Sequence, residues 1–394
     1  MTPTSKSLAS RFDFVLMLGG LSALTALTID ITAPATGVIA RDLQVAENLG
    51  ALIVGVYFLA YAVGQLFWGL LSDAFGRRKV LLASLAGFTL ATDFWVLIGF
   101  RALQGLMAGA PVIARAIVRD IGSGEVAAKL LAVLMAVTAI APLLAPILGS
   151  GLLVLFSWQA IFVFLATMGL ALFWLSFRVG QETARETRPE RLSFRFVFHA
   201  IGYLFRQRDF LVGMGISSLT FGGYASILSL GAVVVETQYE LTPAAFSSLF
   251  AIGALFILGG TITVRMLVGP WGLRRIGVLA ISVLALASAT QGVLFFLSPS
   301  LTLFWGTVCL YMLAFGLILP SAQAVAMEPA GEMPGFASSV LGSMLMIAGG
   351  IGASFAAMLY DGSHTAISGT MAVFGALGVA CLIGARLYDR IGSK

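Results

Sequence analysis

Charge is what this sequence lacks most. Of 394 residues only 10% are Asp, Glu, Lys or Arg, while 59% are hydrophobic and the mean hydropathy is +1.00. A water-soluble surface needs roughly a quarter or more charged residues, so a soluble globular domain is excluded and lipid must cover much of the outside. Cysteine is almost absent: Cys309 and Cys381 lie in separate apolar runs, which excludes a disulfide framework and reads as two small buried residues. The two histidines, His199 and His364, fall in expected loops and read as solvated, so no metal cluster is expected. No G-x-x-x-x-G-K-[ST] loop is present, which argues against a built-in ATP motor. The net charge of +5 is not gathered into one patch interleaved with aromatics, so nucleic acid is not an expected partner. Neither paired intramembrane carboxylates nor a nucleophile motif supports an enzyme, and no cofactor is expected.

What is present is a series of long apolar runs. A bilayer core about 30 Å thick needs about 20 residues of helix. By that measure the chain holds spans at 14 to 36, 50 to 71, 79 to 91, 94 to 117, 127 to 155 and 158 to 179, then 211 to 234, 243 to 267, 276 to 298, 301 to 325, 335 to 359 and 366 to 387. The expected fold is all-α and membrane-integral, with twelve helices in two pseudo-symmetric six-helix halves. The halves are 1–179 and 211–394, joined by a polar cytoplasmic linker, 180–210, that contains Arg185, Arg188, Arg191 and Arg195. The first apolar run, although preceded by Lys6 and Arg11, is too long for a signal peptide and lacks a small-residue cleavage site.

Basic residues sort by side. With the N-terminus inside, Arg77, Arg78, Lys79, Arg119, Lys129, the linker arginines, Arg274, Arg275, Arg386, Arg390 and Lys394 all fall on the cytoplasmic face, and only Arg41 and Arg101 remain outside. That asymmetry puts both termini in the cytoplasm. An internal repeat supports two related halves. Asp73-Ala-Phe-Gly76-Arg77-Arg78 follows the second span, and Gly269-Pro-Trp-Gly272-Leu-Arg274-Arg275 follows the eighth. Parallel repeats of this kind are a transporter architecture, with the site between the halves near the midplane.

Asp30 is the only carboxylate inside an expected span. An ionised acid there is expensive, which makes it a functional candidate and the best proton carrier in the chain. Arg115 is its candidate partner. Asp93 interrupts the apolar run between 80 and 119, so the third span is expected to be short.

Several motifs carry a family resemblance. Gly69-Leu-Leu-Ser-Asp73-Ala-Phe-Gly76-Arg77-Arg78 resembles the loop signature of the major facilitator superfamily, with Ala74 where the family has a basic residue. Arg101-Ala-Leu-Gln104-Gly105 resembles its R-x-x-Q-G element. Pro142, Pro146 and Gly149, within Ala141-Pro-Leu-Leu-Ala-Pro-Ile-Leu-Gly-Ser-Gly151, are similar to the element marking its antiporters. Asp30-Ile-Thr-Ala-Pro34, the Tyr57 to Gln65 stretch, Arg115 to Asp120 and Trp158 to Phe162 narrow the resemblance to the bicyclomycin and chloramphenicol resistance (Bcr/CflA) branch of drug:proton antiporters.

The resemblance implies that Asp30, Arg101 and Arg115 handle proton coupling, and that Tyr57, Tyr61, Gln65 and Gln104 line the substrate cavity. It also implies that Gly69, Asp73, Gly76, Arg77 and Arg78 form a conformational latch. The implied partners are drug-like molecules, protons and lipid, and the implied location is the bacterial inner membrane. A monomer is the expected state. Proton-coupled uptake of a nutrient is the alternative on the same fold.

Overall fold

The computed structural model describes residues 11–75, 78–79, 93–121, 125–183, 193–331 and 333–392, and among these there is no strand. The first half opens with α1 (Phe12–Asp30), a 3₁₀ turn at Ala33–Ala35, and α2 (Thr36–Asp42). The expected first span is therefore two helices with a break directly after Asp30. Pro34 explains the break, because it lacks the N–H that would bond the Asp30 carbonyl four residues back and its ring clashes with that carbonyl. Threonine satisfies part of what is left, since Thr36 Oγ1 donates to the Ala33 carbonyl at 3.1 Å.

Next come α3 (Gly50–Phe75), α4 (Phe94–Met107), α5 (Ala110–Ile121), α6 (Glu125–Leu155) and α7 (Gln159–Val179). Asp93 stands at the expected break before the fourth span and caps it: its Oδ1 accepts from the Trp95 and Val96 amides at 2.9 and 3.2 Å, satisfying donors that a helix start leaves free. The third expected span, 79 to 91, lies almost wholly outside the described residues.

The linker contributes a short helix, α8 (Phe194–Leu204). Its Val197, Ala200, Ile201 and Leu204 share one face, the i, i+3, i+4, i+7 spacing of an amphipathic helix, and they join a small cluster at the inner ends of the second half. That half comprises α9 (Arg208–Thr237), α10 (Pro243–Leu294), α11 (Leu301–Met327), α12 (Pro334–Leu359) and α13 (Thr365–Gly392).

Ten stretches of the described chain are long and apolar enough to cross a membrane. One counts twice. The 52 residues of α10 would run about 78 Å, more than twice a bilayer core, and the chain turns back at Gly272, where φ is +74°. Only glycine takes that backbone readily. Two spans, 243–271 and 273–294, result, so eleven of the twelve expected spans fall among the described residues.

Burial is uneven. α9 is enclosed along almost its whole length, whereas α6 and α7 turn most of their apolar residues outward, as lipid-facing helices do. One buried cluster holds the first-half core. The second-half cluster extends across the boundary to Ala51, Val54, Tyr57, Phe58, Tyr61 and Ala62 of α3, so α3 is the first-half helix most fully joined to the other half. Ser343 Oγ of α12 donates to the Ala62 carbonyl at 2.8 Å.

His364 corrects one expectation. It is 2% exposed, with Nδ1 3.2 Å from Gln238 Oε1 and Nε2 3.0 Å from the Leu294 carbonyl. The loop before α13 is thereby tied to α9 and α10. His199 is exposed, as expected, but sits in helix α8 and not in a loop.

Candidate functional site

The break after α1 leaves Asp30 at a helix end inside the protein, 4% exposed. Among the described residues no hydrogen bond or ion pair reaches its carboxylate. Tyr57 of α3 and Tyr224 of α9 lie within electrostatic reach, one from each half. Arg115 is not its ion-pair partner; it lies near Tyr61, further along α3.

Arg101 instead brackets the Asp30 turn. It points into the protein, 1% exposed. Its Nη2 donates to Thr32 Oγ1 at 3.2 Å, its Nη1 reaches the Thr28 carbonyl at 3.5 Å, and its Nε donates to the Ile53 carbonyl at 2.9 Å. Gln104, one turn along α4, accepts from Nη1 at 2.7 Å. The guanidinium lies over the Tyr57 ring. A buried arginine needs such acceptors and a π face to replace water. The expected set Asp30, Arg101, Gln104 and Tyr57 is thus brought together around one turn.

Tyr57, Tyr61 and Gln65 share a face of α3, and Tyr57 Oη and Gln65 Oε1 are buried with no hydrogen-bond partner. From Tyr57 the aromatic contacts continue into the second half. Phe58 meets Phe221 edge-on at 5.4 Å, Phe221 meets Tyr224 at 5.9 Å, and Tyr224 stacks on Phe315 at 4.9 Å. This array of buried rings crosses the boundary between the halves, with unsatisfied polar atoms at its first-half end. Phe221, Tyr224 and Phe315 were not among the expected site residues. An aromatic in a run of glycines and serines, as at Gly222-Gly-Tyr224-Ala-Ser226, is the signal that marks one of them.

The proline element of α6 meets this turn from the other side. A side chain at Gly149 would collide with the Ile31 carbonyl and come within 3.1 Å of Pro34, so glycine is what lets α6 touch the break. The Pro146 carbonyl accepts from Ser247 Oγ of α10 at 2.8 Å, a bond between the halves. Pro142 and Pro146 lie inside the helix.

Of the loop motif, Gly69 lies against Ser339 of α12. Arg78 donates to the Phe177 carbonyl at 2.8 Å and its amide donates to Glu182, which ties the loop to the end of α7. Gly76, Arg77 and the Asp73 side chain lie outside the described residues.

Further cross-half bonds gather at the face opposite the linker. Arg41 of α2 forms an ion pair with Glu236 of α9 and lies 3.6 Å from Glu47. Glu47 accepts from Tyr360 Oη at 3.1 Å. Burial pushes the Tyr360 hydroxyl up to about 12, so it remains a donor at neutral pH. Glu236 was missed because the expected seventh span stopped at 234, while α9 continues to Thr237.

Two relatives are similar over nearly their whole length. The "Bicyclomycin resistance protein homolog" of Haemophilus influenzae is 29% identical over 377 residues, covering 89% of this chain and 90% of the relative. "Multidrug resistance protein D" of Escherichia coli is 30% identical over 387 residues, covering 94% of each. Both names agree with the branch resemblance carried by the motifs. Among solved structures, a D-xylose-proton symporter superposes with a TM-score of 0.70 at 16% identity, covering 94% of this chain and 95% of that one, which is a likeness of fold. The family model of the Major Facilitator Superfamily matches residues 18–353, so the chain belongs to that superfamily of multi-pass membrane transporters, not enzymes.

Proposed function

We propose that this protein exports drug-like small molecules in exchange for protons, by alternating access of its two halves from the bacterial inner membrane. The observation that carries the reading is Asp30: a buried carboxylate without an ion-pair partner, at a helix break, within reach of aromatics from both halves. A carboxylate in such a place is either a proton carrier or a partner for substrate. Coupling then needs only that proton and drug favour different arrangements of the halves. Arg101 positions the turn, and Tyr57, Gln65, Tyr224 and Phe315 receive the drug. The resistance names of the relatives support export. The apolar lining argues against a sugar, which needs many polar contacts, although the fold is shared with a sugar symporter.

The location of Arg41 on one face and of Arg195, Arg206 and Arg208 on the other supports cytoplasmic termini. The test is drug-triggered collapse of an imposed pH gradient in inverted vesicles, across a panel that includes chloramphenicol. The native protein should dissipate the gradient, and Asp30→Asn, inserted to the same level, should not. Full response from Asp30→Asn refutes the carrier role, and gradient-dependent accumulation of the compounds in the opposite direction would establish uptake instead.

A further inference from the structure

We propose that Glu236 is a second proton-binding carboxylate, whose protonation unlocks the face opposite the linker by passing Arg41 from a partner in the other half to one in its own. The inference rests on the proton-coupled reading above and adds to it a proton-operated outer gate.

The geometry is unequal between the two oxygens of Glu236. The side chain is 8% exposed. Oε2 is ion-paired with Arg41 across the boundary, while Oε1 is buried with no hydrogen-bond partner. Arg41 itself is 46% exposed, which brings water to the edge of the pair. Gly37 keeps the contact open, since a Cβ there would lie 3.3 Å from Arg41 Nη1 and 3.4 Å from Glu236 Oε2. The cluster holds one cation and two carboxylates, because Glu47 Oε1 is also 3.6 Å from Arg41. One guanidinium cannot fully serve both, and the unpartnered Oε1 is where a proton completes the balance.

The other groups around the cluster are accounted for. Tyr360 donates to Glu47 and shares a hydrogen bond with Thr237. Asp361 is occupied by Ser363 and Thr365. Asp42 accepts from the Trp158 indole at 2.6 Å.

A proton taken from water onto Oε1 converts the carboxylate to a neutral acid and removes the ion pair. Arg41 is then left with Glu47. Both belong to the first half, so their pair holds nothing across the boundary. The remaining bonds between halves at this face, Tyr360 to Glu47, Asn48 to the Ala357 carbonyl and Ser247 to Pro146, are single hydrogen bonds that can yield together. A high proton concentration on this side therefore favours its opening, which is the condition for a proton to reach Asp30. Glu236 and Glu47 share one arginine, so the midpoint of opening belongs to the cluster.

The test is the distance between spin labels at Ala46→Cys and Ser298→Cys, both exposed, in a background with Cys309 and Cys381 replaced by serine. It is measured by pulsed electron resonance on the full chain in lipid nanodiscs, from about pH 8 to about pH 5. The native protein should shift from a short to a longer distance as pH falls. Glu236→Gln should show the longer distance throughout, with no pH response. Glu47→Gln should move the midpoint to lower pH by about one unit, because Arg41 then has only Glu236.

A native distance that ignores pH, a Glu236→Gln distance that follows it, or a midpoint that rises in Glu47→Gln overturns the proposal. Monodisperse elution of each variant checks folding, and the native and Glu47→Gln arms stand even if Glu236→Gln fails it. Absence of drug-triggered gradient collapse in the native protein would instead defeat the export reading while leaving the distances interpretable.

Discussion

The guanidinium carbon of Arg101 sits 4.5 Å from the ring centre of Tyr57, and no carboxylate among the described residues is ion-paired with it. Its charge is met by a π face and by oxygens of Thr28, Thr32, Ile53 and Gln104. Two of those four residues flank Asp30. Any displacement of the arginine is therefore passed to the turn that carries the acid.

Arg101→Lys should keep the charge and lose the planar fork. Lysine is a point charge without the geometry to serve α1, α3 and Gln104 at once. Loss of two hydrogen bonds, at about 1 kcal/mol each, predicts a fall in drug-driven proton flux of roughly thirtyfold. The vesicle assay checks it, and near-native flux would remove Arg101 from the positioning role.

Gly149→Ala should push α6 off the break that follows Asp30. The added methyl meets backbone, which cannot swing aside, and overpacking of this kind costs about 1–3 kcal/mol. A lowered thermal midpoint in detergent together with reduced transport is expected. The neighbouring Gly151, which has open space around it, should accept alanine with little change.

Tyr224→Ala should weaken drug binding more than Tyr224→Phe. The stack on Phe315, with planes 10° apart, contributes about 0.5–1.5 kcal/mol, or about two- to tenfold in affinity. Titration calorimetry with an aromatic substrate separates the variants. Equal losses in both would shift the role from the ring to the hydroxyl.

Acid should weaken the turn into α13. Hydrogen bonds from Ser363, and next from Thr365, hold the Asp361 carboxyl below the usual carboxylate range. A depressed folded value stabilises above the unfolded value and is lost as pH falls through the folded one. The thermal midpoint of the native protein should exceed that of Asp361→Asn by a small margin near about pH 6, and the margin should vanish towards about pH 3.

Much of this molecule was legible in its sequence because hydrophobic length is a local property. Every expected span among the described residues is helical, since apolar run length suffices to mark one, but the first and the fourth are each broken into two helices. Asp30, Arg101 and Gln104 stood out because polar groups are rare in such runs. What escaped were relations between distant segments. Nothing local says that Arg101 would bracket the Asp30 turn through threonines while Arg115 would sit near Tyr61. Asp93 was legible as an interruption but not as a cap, because capping depends on which neighbouring residue begins the helix. Glu236 lay two residues past an estimated boundary, and helix ends are the least certain feature that hydropathy provides.

The near-complete enclosure of α9 has a consequence for how the protein comes apart. Beyond its first turn its amides meet little water or lipid, so they trade hydrogen for deuterium chiefly when the surrounding helices separate. α9 should be the slowest-exchanging segment, and its rate should track global unfolding, while α6 and α7, each covered on one side only, exchange through smaller openings. Deuterium uptake along the chain would then read as a map of which helix every other one leans on.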